Sequence, residues 1–583
     1  MKCTQESLPT PMNRRQQTLI ALGACFIACL DVYGISLSYG FIELDDPTNI
    51  FRNPLLNPPT WSHCLHFWTH GFFSMYIPLT YTAWSLVAYL SERIVEGHLY
   101  LRPGFFHAAN LVLHGLNSFL VFLVLRGWLE RLRPPAKSSR VVPAREREER
   151  ETKLANREWT CALAGALLFA WHPVQVEAVG WITGMRDLLS VCLALTALRF
   201  YYRYLDARRD KFLRKRKEGA EHLLQISLGF FVLSLLAKPG TALLPGALFI
   251  VDTILLGLEW RGTAKRLFPW AGLGAGSLIL AKLLQPNSGI INVTPWWTRP
   301  FIAGDALFFY LKKLFFPFFS GFDYGRTPHY VLGHSWVYLT WIVPAAVAFL
   351  CWRHRKHARW LPVASLLFVL GLFPVLGFVP FDFQIFSTVC DHYLYFSMLG
   401  VGLAFAAGMS WTLERFSGVA WVAAGLLFVL SITSQWQLGY WKDSFSLFTH
   451  AIDANPDSVI SATNLGAEEF ERKRYADAER LYAHAAELRP DLAEVHLAWG
   501  SALLMEGRSA ESISHFQDAL TRNPQLVTGY IELADALENL GRTADELAAL
   551  QAATRLDPQN PTLLRALNRL SEKRAPASSQ NTQ

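Results

Sequence analysis

Apolar runs near the roughly 20 residues needed to cross a bilayer recur from Gln17 to Trp436. No soluble fold uses so many. The 583-residue chain is 52% hydrophobic and only 17% charged, against about 25% charged in a soluble domain. After Trp436 the apolar runs stop and Ala, Glu, Arg and Asp rise. The sequence therefore predicts a polytopic helical membrane domain over 1–440 and a second domain over 441–572, with a disordered tail at 573–583.

Short loops rich in Lys and Arg stay in the cytoplasm. Four stretches are strongly basic: 126–158, 206–219, "EWRGTAKR" and "WRHRKHAR". Placing them and the N-terminus inside gives roughly eleven spans, near 17–38, 105–126, 159–175, 183–203, 223–238, 241–258, 267–285, 335–352, 360–379, 393–412 and 418–436. An odd number puts the C-terminus outside. Arg14 and Arg15 precede "QQTLIALGACFIACL" with no A-x-A-like site after it, the pattern of an uncleaved anchor. "IPLTYTAWSLVAYL" and "FIAGDALFFYLKKLFFPFF" are read as interfacial helices on the outer face. The eight cysteines show no CxxC pair and no zinc spacing. Cys64 and Cys390 fall in outer loops, where a disulfide is one option.

Polar residues collect at the outer ends of the spans: "ELDD", "HPVQVEAVGWITGMRD", "LLAKPG", "GFDYGR" and "STVCDHYLY". Ionisable groups at membrane depth are costly and mark function or paired structure. Five clusters on one face predict a shared cavity, against the plainer reading of five solvated loops. His107/His114 and Asn110/Asn117 repeat every seven residues on one helix face and are read as interhelical hydrogen bonds. His172 and Glu177 are two metal-ligand types five residues apart, a pair more consistent with a hydrogen-bonded structural role. No full set of metal ligands stands out, and a divalent metal is left open.

The tail is a repeat. Pro456, Pro490, Pro524 and Pro558 stand 34 residues apart. Gly466, Gly500 and Ala534 fall in register, as do Ala485, Ala519 and Ala553, and the large residues Tyr482, Phe516 and Leu550. A period of 34 with paired helices is the tetratricopeptide pattern. Three repeats and a capping helix, "PTLLRALNRLSEKR", are predicted. Such solenoids bind proteins or peptides in a groove.

"FIELDDPTNIFRNP", "IPLTYTAW", "HAANLVLHGLN", "ALLFAWHPVQVEAVGWITGMRDLLS", "LSLLAKPGTALLP", "LFFPFFSGFDYGR" and "FPVLGFVPFDFQIFSTVCDHYLYFSMLG" follow one another in order. Together with the repeats they resemble GT-C fold membrane glycosyltransferases with tetratricopeptide repeats. The likeness is to the bacterial members and to the transmembrane and tetratricopeptide-repeat O-mannosyltransferases, and it covers nearly the whole chain. The resemblance implies an all-α fold and a transferase that takes mannose or a similar hexose from a polyprenyl- or dolichyl-phosphate carrier. It implies transfer to a hydroxyl acceptor, often Ser or Thr of a protein, at the outer or lumenal face with inversion. The repeats would present the acceptor protein. A bacterial inner membrane with periplasmic repeats is the favoured location, or a lumenal one if the chain is eukaryotic.

That reaction needs a base for the acceptor hydroxyl. Asp45 and Asp46 are the candidates, with Asp46 favoured as base and Asp45 positioning an acceptor, a loop or a metal. The plainer reading makes Asp46 a turn-former before Pro47. The leaving phosphate needs positive charge, and Arg186 is the first candidate because its planar fork can bond two oxygens. The alternative is a local Arg186–Asp187 pair. Lys238 and His392 are further phosphate contacts. Glu43, Asp187, His172, Glu177, Asp391 and Tyr393 are supporting residues. Three positions depart from what the resemblance implies: Ile77 where a His is usual, Met185 where a polar or acidic residue is usual, and His392 where an Arg is usual. These departures point to an altered substrate or to lost activity, and those at Ile77 and His392 support a second reading, a membrane scaffold or receptor acting through its repeats.

Overall fold

The computed structural model describes residues 13–95, 98–133, 144–209, 216–284, 294–318 and 321–574. Cys3 and residues 575–583, most of the expected disordered tail, lie outside the described residues, while Lys573 and Arg574 end the last helix, Pro561–Arg574. The chain divides into two compact units, 1–443 and 444–583.

The first unit is built of helices. Helical segments lie at each expected span. Among the described residues, six are long and apolar enough to cross a membrane: Arg14–Ser38, Pro103–Arg131, Gly219–Ala237, Trp260–Leu284, Ser335–His354 and Val419–Trp441. A bent pair, Arg145–Trp171 with Pro173–Gly180, makes a seventh. Pro239–Leu255, Trp360–Val375 and Met398–Leu413 are apolar but shorter. The chain is a multi-pass membrane protein. Among the described residues the one small sheet is the hairpin of Glu92–Val95 and His98–Leu101, which follows the helix Pro78–Ser91.

Proline fixes where several elements begin. Pro78, Pro103, Pro173 and Pro239 each stand at the start of a helix, where a missing N–H costs nothing. The helix Pro103–Arg131 is a central strut. It packs against Ala144–Trp171 and Met185–Arg209, and its polar residues face its neighbours. Asn110 donates to the Trp181 carbonyl at 2.8 Å, and Asn117 to the Leu188 carbonyl at 2.9 Å. His114 meets the Tyr395 hydroxyl at 2.8 Å and the Ala170 carbonyl at 3.1 Å. The seven-residue polar repeat thus does what its spacing predicts: it bonds groups on neighbouring helices.

Cys64 and Cys390 are not joined. Cys64 lies by the Thr82 hydroxyl and Cys390 by the Glu177 carboxylate and the Phe322 carbonyl. Each thiol is buried among its own partners, so the disulfide left open by the sequence does not form.

The second unit holds three helix pairs: Val459–Glu471 with Tyr475–Leu488, Ala493–Met505 with Ser509–Arg522, and Val527–Asn539 with Thr543–Leu556. Ser444–Ala454 precedes them. A Cβ on Gly500 would stand 2.5 Å from the Phe516 ring, which is why a large knob and a glycine recur together. The turn inside each pair needs a left-handed residue at the same place in the period. Gly507 and Gly541 supply it at φ +80° and +69°, but the first repeat has Lys473 at φ +61°. A side chain there costs about 1 kcal/mol. Lys473→Gly is therefore expected to stabilise this unit by roughly 1 kcal/mol. Chemical denaturation of the repeat unit checks it, and a loss of stability would contradict it.

Candidate functional site

The acidic loop leaves the first helix through the turn Gly34–Ser38 and tightens at Pro47–Phe51. Its back rests on a hydrophobic cluster that includes Ile50, Tyr81, Trp84, Phe106 and Ile182. Ile77 and Met185 belong to that cluster, at 2% and 1% exposure. The two departures at these positions are thus one feature. Both side chains are apolar and pack in the same core.

Asp45 and Asp46 face different surroundings. Asp46 has no exposed surface, and its Oδ2 accepts the Ile42 N–H at 2.9 Å. It stands at the N-cap position of the turn that begins at Pro47, but its side chain makes no cap bond there. Burial pushes its carboxyl up to about 7, the Ile42 N–H opposes that, and the Asp45 charge adds to it. Its Oδ1 and the Thr183 hydroxyl are buried without a well-formed hydrogen bond, although Thr183 stands near enough to favour the charged form. Asp45 is partly open, with 28% of its side chain exposed, and its Oδ2 accepts from Arg186 Nη2 at 3.1 Å.

The sign of the Asp46 effect on stability follows. Between the ordinary carboxylate range and about pH 7 the folded chain keeps a proton that the unfolded chain has lost. Stability then falls as pH rises through that window and is level above it. The loss is at most ~4 kcal/mol. Asp46→Asn cannot ionise, so its melting temperature relative to wild type is expected to rise between pH 5 and pH 8. Parallel pH profiles for the two proteins would contradict the assignment.

Arg186 is carried to the acidic loop by the tight path 176–185. Gly184 makes that path possible, since a Cβ there would lie 2.2 Å from the Ala178 carbonyl oxygen. The guanidinium sits 5.1 Å from the Trp181 ring centre. Its Nε is buried and has no partner among the described residues. Arg186 does not pair with its sequence neighbour. Asp187 instead takes both bonds from Lys238 Nζ, at 2.6 and 2.7 Å.

Two more acid–base pairs complete the group. Glu177 accepts the His392 backbone N–H at 3.0 Å and faces His392 Nδ1 at 2.7 Å. Asp391 pairs with Lys313 at 3.0 Å and accepts from the Tyr324 hydroxyl at 2.8 Å. A cavity of about 80 Å³ opens beside the Asp187–Lys238 pair, lined also by Thr241, His392 and Tyr393 among others. The structure thus brings Asp45, Asp46, Arg186, Asp187, Lys238, Glu177, Asp391, His392 and Tyr393 to one region. It sends Glu43 elsewhere, into a bidentate pair with Arg52 at 2.7 and 2.9 Å. His172 has a structural place: its ring meets the Leu314 carbonyl at 3.2 Å and the Val174 N–H at 3.4 Å.

Lys313 and Tyr324 were not singled out in the sequence. Lys313 sits in "LFFYLKKLFF", which reads as an interfacial helix, yet its side chain is 6% exposed. Its signal was a cation inside an apolar run, the usual mark of a buried partner. Glu177, Cys390 and His392 each offer one ligand atom within 4.8 Å of the others and are all buried. These atoms already bind one another by hydrogen bonds, so a metal there would have to displace existing contacts.

Residues 497–561 match a family model for the tetratricopeptide repeat. Over longer stretches the chain is similar to proteins named protein O-mannosyl-transferases. It is 31% identical to TMTC1 of Mus musculus over 204 residues, 34% of this chain and 18% of that protein. It is 26% identical to TMTC4 of Homo sapiens over 507 residues, 77% of this chain and 63% of that protein. TMTC3 of Mus musculus is 29% identical over 198 residues, 33% of this chain and 17% of that protein. The chain thus spans about a fifth of the first relative and under two thirds of the second. The resemblance drawn from the ordered motifs and the repeats is borne out by these matches.

Proposed function

We propose that the chain is a glycosyltransferase that moves a hexose, mannose or similar, from a polyprenyl-phosphate carrier to a Ser or Thr hydroxyl of an acceptor protein. The observation that carries this reading is the 3.1 Å contact of Arg186 with Asp45. A phosphate-binding cation and an open carboxylate stand side by side, and the buried guanidinium keeps an unused donor, Nε. The relatives named as protein O-mannosyl-transferases support the class of reaction.

The chemistry divides between the two poles. The acceptor oxygen attacks the anomeric carbon from the face opposite the phosphate, the bond from that carbon to the phosphate oxygen breaks, and the configuration inverts. The acceptor proton goes to a carboxylate. Asp45 is the better placed base, because a base must come within hydrogen-bond reach of its proton and Asp46 has no exposed surface. Asp46 is a positioning residue that fixes the loop through Ile42. The leaving phosphate is held by Arg186, with Lys238 and His392 at the adjoining cavity. When the donor phosphate arrives it competes with Asp45 for Arg186. Asp45 is then released as the donor is seated, which couples base activation to donor binding.

The sites face the extracytoplasmic side, and the repeats hold the acceptor protein. Deleting the chain from its host is expected to strip O-linked hexose from a set of extracytoplasmic proteins, read by glycopeptide mass spectrometry. An unchanged set would favour the scaffold reading.

A further inference from the structure

The second helix pair of the repeat unit brings together three metal-ligating groups that the transfer reaction does not use. His496 lies on Ala493–Met505, and His515 and Asp518 lie on Ser509–Arg522. Each offers one ligand atom within 4.8 Å of the other two. We propose that His496, His515 and Asp518 form a binding site for a divalent zinc-class metal ion, with water as the fourth ligand.

The tautomer of His496 supports this. Its Nε2 meets the Pro490 carbonyl at 3.1 Å. A carbonyl only accepts, so Nε2 carries the proton and Nδ1 keeps its lone pair. That Nδ1 is buried and unpartnered, in a residue only 6% exposed. An unsatisfied buried acceptor needs an explanation. This backbone-to-imidazole bond is also the arrangement that orients metal-binding histidines elsewhere.

His515 adds a second buried and unpartnered Nδ1. Its ring is held against Trp499, with centres 3.9 Å apart, which limits its freedom. Asp518 is on the same helix three residues on, the same face. One of its oxygens accepts from Arg522 Nη1 at 3.1 Å, and the other is available. Glu479 and Glu511 add negative charge around His515, though Arg508 also pairs with both. Two imidazoles and a carboxylate suit a borderline ion such as Zn²⁺, with bonds of about 2.0–2.2 Å. A bound ion would tie the two helices of the pair together on the side where Pro490 turns the chain.

The test uses the full chain in detergent, stripped with a chelator and dialysed against Zn²⁺ alone. Wild type is expected to hold one more Zn²⁺ per chain than His515→Asn. Any binding at Glu177, Cys390 and His392 is common to both proteins and cancels. Asp518→Asn, a change at an exposed position, is expected to bind at least ~10-fold more weakly. Zn²⁺ is also expected to raise the melting temperature of wild type more than that of either variant. Equal stoichiometry and affinity in wild type and both variants would overturn the proposal.

Discussion

Asp45→Asn is expected to lower transfer by about 10²- to 10⁴-fold, the usual contribution of a positioned general base, while leaving the protein folded. The side chain is partly exposed and makes one charged contact, to Arg186, so the amide can stay in place without accepting a proton. The loss should fall on turnover more than on donor affinity. Asp46→Asn should behave differently. Its carboxyl is buried and burial raises its pKa well above the ordinary carboxylate range, and the amide keeps the shape and the acceptor for the Ile42 N–H. Its activity is expected to fall less than that of Asp45→Asn. The reverse order would return the base to Asp46 and require the loop to open before reaction.

Arg186→Met is expected to reduce kcat/KM by about 10²- to 10³-fold, the scale for losing one group that stabilises developing charge. Two effects combine. The leaving phosphate loses its fork-shaped donor, and Asp45 loses its partner. Arg186→Lys should recover part of the loss, since charge returns without the second bond. Near-wild-type activity in Arg186→Met would shift phosphate binding to Lys238 and His392 alone.

Much of this was legible in the sequence, and the reasons are particular. The 34-residue spacing of prolines and the glycine–aromatic register named the repeats, because each position answers to a packing need that period imposes. The polar heptads on 103–131 predicted their own bonding, since a polar side chain in an apolar helix has few other choices. Pairings were a different matter. Arg186 and Asp187 are neighbours in sequence, but consecutive helical residues point apart. Their partners lie 141 and 51 positions away, set by the turn at Gly184 and the break before Pro239. The preference between Asp45 and Asp46 depends on which carboxylate the loop buries, and two adjacent acids carry no sign of that. Ile77 and Met185 looked like separate departures until the fold placed both in one core. Lys313 was hidden in an apolar run whose buried face only the tertiary packing defines. The number of spans also rests on more than composition: among the described residues six or seven helices are long and apolar enough to cross a membrane, fewer than the basic loops imply.

Purified protein reconstituted in liposomes offers the most direct measurement. Polyprenyl-phosphate carrying labelled hexose would be supplied with a Ser/Thr-rich acceptor protein, and the label on the acceptor would be counted. The account predicts alkali-labile label with wild type and its near loss in Asp45→Asn. Folded wild-type protein that transfers no label from any such donor would contradict it.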